Sequence, residues 1–181
     1  MNKEFRNKQD IIETLYKIDY ELGGIPIKGK VSLTIFGGSA LLLKSNIHAT
    51  SDIDAFVRME HEDAQVRKIL ANYSVSSSIE SVMELPPLED VRKEFERLNV
   101  AFNHLEVYLP STEHLIISKL FTTRQTEKDM EDILESGILG NANIDKLKGL
   151  YEEYLPYIML PRRRYNELDE LLKQWKERKG G

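Results

Sequence analysis

The 181 residues carry 25 lysines and arginines against 30 aspartates and glutamates, a formal net charge of −5. A hydrophobic share of 41% beside a charged share of 30% is that of a globular chain able to bury a core without covalent staples. No cysteine is present, which excludes disulfides, thiolate metal centres and cysteine nucleophiles, and the acidic balance argues against a general nucleic-acid coat while leaving room for a nucleotide or one RNA end.

The opening MNKEFRNKQD is charged, with no apolar stretch behind it, and no apolar run approaches the roughly 20 residues that cross a bilayer. A soluble, cytoplasmic protein with no membrane partner is expected. Ile12, Leu15, Tyr16, Asp19 and Leu22 keep helical spacing, interrupted only by the polar Asp19, and Gly23-Gly24 stops the helix. After the turn residues Pro26 and Gly29, the stretch from Val31 to Phe36 reads as a strand. Gly37-Gly38 ends it, and Ser39 is placed to cap a helix running to Lys44. A polar connection then leads to a second strand from Asp52 to Val57.

Residues 62–73 read as a helix, the serine-rich stretch 74–81 is ambiguous, and Pro86-Pro87 is a break. The charged residues 89–97 suggest a short helix, and alternation from His104 to Tyr108 suggests a strand closed by Pro110. Beyond Ser111 the texture turns helical over 112–121, 127–134, 144–155 and 165–177. The fold class expected is α/β (α+β): a small mixed sheet flanked by helices over residues 1–110, with a helical region 111–181 packed on it as one compact unit.

Two glycines at the end of a strand let the backbone approach a ligand closely, and the helix that follows presents unpaired N–H groups suited to phosphate. Ser39 adds a hydroxyl there. Asp52 and Asp54, two residues apart on a strand, project from one face. Side-by-side carboxylates repel, and hard divalent cations bridging a triphosphate relieve that repulsion. Glu106 is the candidate third carboxylate, with Glu80 and Glu84 as alternatives. Lys119 is surrounded by apolar residues on its helix, so it must snorkel outward or meet a buried anion, either a triphosphate or an acidic cluster.

The order Ile35-Phe36-Gly37-Gly38-Ser39, a gap of residues 40–51, then Asp52-Ile53-Asp54 resembles the signature of the DNA polymerase β-like nucleotidyltransferase superfamily. The tail Ser111…Lys119-Leu120…Arg124…Lys128-Asp129…Asp132 resembles the bacterial branch of minimal nucleotidyltransferases and abortive-infection toxins, and the likeness spans roughly residues 31–134. It implies a nucleotide-binding set of Gly37, Gly38, Ser39 and Lys119, with Asp52, Asp54 and Glu106 as metal ligands. It also implies catalytic roles for Asp52, Asp54, Glu106, Lys119 and Asp129, with Asp132 beside the last. The implied cofactor is Mg²⁺, as two ions, with Mn²⁺ as the alternative. The implied reaction moves a nucleoside monophosphate from a nucleoside triphosphate to an RNA 3′ end, a protein or a small molecule, with a cognate antitoxin or toxin as a candidate partner. His48 stands where related toxins carry arginine, which leaves base or acceptor preference open.

The second reading is a non-catalytic protein of the same fold that sequesters or regulates a partner through its helical tail, where Trp175, Tyr151, Tyr154 and Tyr157 would dock if they are not core. The histidines show no metal-ligand spacing; His114 reads as surface or capping, and His104 as a neighbour of the site. Arg162-Arg163-Arg164 reads as a solvated helix start or an RNA or partner contact.

Overall fold

The computed structural model describes residues 4–45, 49–79, 83, 86–123 and 127–181. Helix α1 (Lys8–Leu22) begins at a capping box in which Asn7 and Asp10 satisfy each other's backbone, and it ends at Gly23. Its buried face is Ile11, Leu15, Ile18 and Leu22 rather than the Ile12 side, and Tyr16 is exposed. Strand β1 (Val31–Ile35) leads into α2 (Gly37–Ser45), and β2 (Ile53–Arg58) follows. Helix α3 (Ala64–Asn72) is capped by Asp63, which accepts from the Gln65 and Val66 amides.

The serine-rich stretch contributes a two-residue strand, β3 (Val75–Ser76). The charged stretch expected to be one short helix is instead a single turn, Leu88–Val91, a 3-10 turn, Arg92–Glu94, and an edge strand, β4 (Glu96–Arg97). Pairing to β5 (Leu105–Leu109) overrides the local helical preference. Helices α4 (Thr112–Leu120), α5 (Glu127–Ser136), α6 (Ile144–Tyr154) and α7 (Leu168–Gly180) complete the chain. None of the described helices is long and apolar enough to cross a membrane.

The sheet order is β3-β2-β1-β5-β4, with β1 parallel to β5 and antiparallel to β2. The register fixes two faces. Leu33, Ile35, Ile53, Ala55, Leu105 and Val107 point into a hydrophobic cluster shared with α1, α2 and the helices beyond residue 111. The other face carries Ser32, Thr34, Asp54, Phe56, Arg58, Glu106 and Tyr108. Tyr151 and Tyr154 are buried, Tyr151 stacking on Phe121 at 5.1 Å between centroids, so of the tail tyrosines only Tyr157 remains exposed for a partner. Trp175 packs partly against the core beneath Lys179.

The polar interruption of α1 has a structural cause. Asp19 is buried and accepts from the amides of Asn103, His104 and Leu105 at 3.0, 2.7 and 2.9 Å, pinning the start of β5 to α1. Asp19→Ala removes the acceptor of three amides and is expected to lower stability by about 3 kcal/mol, read by urea unfolding.

Candidate active site

Gly37 opens α2 at φ +62°, in the left-handed region, and a Cβ built there would lie 2.6 Å from Asp54 Oδ2. Glycine is required on both counts. The Phe36 amide donates to the Asp54 carbonyl at 2.9 Å, so the end of β1 and the start of β2 are laced together where the glycine turn meets the carboxylate. The first-turn amides of α2 have no intrahelical acceptors and lie at the positive end of its dipole. Gly37→Ala is expected to cost about 1–3 kcal/mol and to push the Asp54 carboxylate aside, lowering both the melting temperature and any nucleotide affinity.

Asp52 lies one residue before β2, and its carboxylate meets Thr50 Oγ1 at a long 3.5 Å. Thr50 is itself held by a two-hydrogen-bond bridge to Phe5, whose side chain is fully buried. The N-terminal segment, outside the sequence signature, thus positions the loop that carries Asp52. Asp52 and Asp54 are both half-buried.

Ser39 does not cap α2. It sits inside the first turn, fully buried, and its hydroxyl donates to the Phe36 carbonyl at 3.0 Å, so at this turn it offers backbone rather than side chain. Glu106 shares the open face with Asp54 but pairs across Ser32 with Arg58, four residues along β2. At about 3.3 Å per residue this sets it about 13 Å along the strand from Asp54. Its carboxylate meets Tyr108 Oη at 3.4 Å and an Arg97 nitrogen at 3.9 Å. Among the described residues no three His, Asp or Glu side chains converge as a metal site. Glu80, Glu84, His48 and Arg124 lie outside the described residues.

Lys119 meets an acidic cluster. Its Nζ lies 3.0 Å from Asp129 Oδ1 and 2.9 Å from Asp132 Oδ2, all three side chains buried, and Thr122 donates to Asp129 Oδ2 at 3.3 Å. The helices bearing this group, α4 and α5, both pack on α2, the helix that begins at Gly37.

His114 is buried rather than on the surface, because α4 is covered on almost every side. Its Nδ1 lies 2.7 Å from Ser111 Oγ and 3.5 Å from Glu94 Oε2. Burial holds its pKa below the usual 6.5, opposed by the Glu94 carboxylate. Serine and carboxylate crowd the same ring nitrogen, so this is no nucleophile–base–acid relay. His104 sits beside Gly23 at the start of β5, next to Asp19 and away from the glycine turn. Sequence reasoning missed Arg58; the period-two spacing from Asp54 is the signal that finds it.

A glycine turn at the end of one strand, pressed against the carboxylate of an Asp-x-Asp pair on the next within a five-stranded mixed sheet, defines a protein of the nucleotidyltransferase class. The chain belongs to the family described as nucleotidyltransferase of unknown function (DUF6036), which it matches over residues 13–180. No curated protein and no solved structure matches it.

Proposed function

We propose that this protein is a Mg²⁺-dependent enzyme that transfers a nucleoside monophosphate from a nucleoside triphosphate to an acceptor hydroxyl. The observation that carries the reading is the contact between the turn at Gly37 and the Asp54 carboxylate, which brings phosphate-binding amides and metal-binding oxygens to one place. The donor set suits the ion: Mg²⁺ is commonly held by one or two carboxylates, with substrate phosphates and water completing its shell. Asp52 and Asp54 would hold it, and when bound it neutralises phosphate charge and polarises the α-phosphate.

The chain's own part is positioning. The amides of the α2 first turn cradle the triphosphate, and Asp52 and Asp54 fix its orientation on the open face. The acceptor oxygen bonds to the α-phosphorus as the bond to the bridging oxygen breaks; pyrophosphate leaves, and the hydroxyl proton is lost to water. The buried Lys119–Asp129–Asp132 group ties together two helices that pack on α2, which supports a positioning role for Lys119.

The test incubates the protein with each α-phosphate-labelled nucleoside triphosphate, Mg²⁺ and a mixture of total RNA and protein. Label on a discrete RNA, protein or small molecule supports the reading. Nucleotide binding with no transfer to any acceptor supports instead the non-catalytic partner protein.

A further inference from the structure

Beyond the carboxylate pair, the open face of the sheet carries a groove of about 540 Å³ lined by Lys30, Arg58, Arg92, Phe95, Glu106 and Tyr108, among others. In a chain of net charge −5 this groove gathers three cations. The guanidinium groups of Arg58 and Arg92 make no ion pair or hydrogen bond among the described residues, and Lys30 Nζ reaches only the Phe102 carbonyl, at 3.4 Å. Two carboxylates share the groove with them: Glu106, engaged by Arg97 and Tyr108, and Glu60, whose Oε1 lies 3.7 Å from His61 Nε2, so the cations are in excess by one. Planar guanidinium groups with open donors suit phosphate oxygens. Phe95 and Tyr108, both half-buried, lie 6.3 Å apart between ring centroids and 33° from parallel, a platform on which a nucleobase can stack.

Position decides which substrate the groove serves. Arg58 lies on the same face as Asp54, four residues along β2, with Phe56 between them. A donor triphosphate places its charge at the Asp52–Asp54 end, and its base is neutral, so it gives three further cations nothing to bind. A second phosphate-bearing molecule does. We propose that this groove is the acceptor seat and that the acceptor carries a nucleotide unit. Its phosphate lies on Arg58, Arg92 and Lys30, and its base lies against Phe95 and Tyr108. The assignment of acceptor rests on the transfer reading above. A free mononucleotide and the end of an RNA strand offer the same chemistry.

The test measures binding directly, without transfer, by titrating AMP, GMP and a short 5′-phosphorylated single-stranded RNA into the wild type, Arg58→Gln/Arg92→Gln and Asp52→Asn/Asp54→Asn. The arginine double variant is expected to lose at least about tenfold in affinity for the probe that binds, with a shallower salt dependence. It should melt like the wild type and keep its affinity for Mg²⁺–nucleoside triphosphate, and the aspartate double variant should keep the probe. Preference for the oligonucleotide names a strand end as the source, and equal affinity names the free nucleotide. Probe affinity unchanged in the arginine variant, equal loss of triphosphate affinity, or no probe binding to the wild type would each overturn the proposal. Probe binding without label transfer to any acceptor overturns the transfer reading and leaves a nucleotide site in the groove.

Discussion

The Asp52→Asn/Asp54→Asn double variant is expected to transfer nucleotide at least about 100-fold more slowly than the wild type while remaining folded. Asparagine keeps the shape of each side chain and removes the charge that, in the proposed reading, would hold a divalent cation. Neither aspartate is deeply buried, so replacing each charge by an isosteric amide is expected to leave the chain folded. A melting temperature within a few degrees of wild type, beside a collapsed transfer rate, is the expected pair of measurements. Full activity in the variant would remove the aspartates from the chemistry.

Lys119→Ala should behave in the opposite way, through stability first. The ammonium is buried and is the ion-pair partner of two buried carboxylates, Asp129 and Asp132. Removing it takes a buried cation away from two buried carboxylates, a change that costs about 3–5 kcal/mol. The melting temperature should fall sharply, and nucleotide transfer with it. Changing Lys119→Met together with Asp129→Asn and Asp132→Asn removes all three of these charges and should recover much of the stability in chemical denaturation. A Lys119→Ala protein as stable as the wild type, yet inactive, would mean that the lysine acts on the nucleotide rather than on the helices.

Strands with two-sided chemistry were legible in the sequence because their alternation is local. Asp54 against Ile53 and Ala55, or Glu106 against Leu105 and Val107, reads correctly as one polar face and one core face. How far apart Asp54 and Glu106 lie is not local. It depends on the register of both β2 and β5 against β1, which no periodicity encodes, and the register separates them along the sheet. The same limit hides the groove, whose arginines come from β2 and from the turn Arg92–Glu94. Strand β4 is two exposed residues whose identity comes from pairing alone. Asp19 looked like a flaw in an amphipathic helix because its three partners lie more than eighty residues away. Ser39 looked like a cap because serine after a glycine turn commonly is one, yet the helix here begins two residues earlier, at Gly37 itself.

The measurement that bears most directly on the nucleotidyl-transfer claim compares two labels on the same nucleoside triphosphate, one at the α-phosphate and one at the γ-phosphate, in parallel reactions with Mg²⁺ and a mixture of total RNA and protein. Transfer of the α label to an acceptor, with the γ label released as pyrophosphate, is the result predicted for Asp52 and Asp54 acting at the foot of the glycine turn. Transfer of the γ label, or of neither in a folded protein, would contradict it.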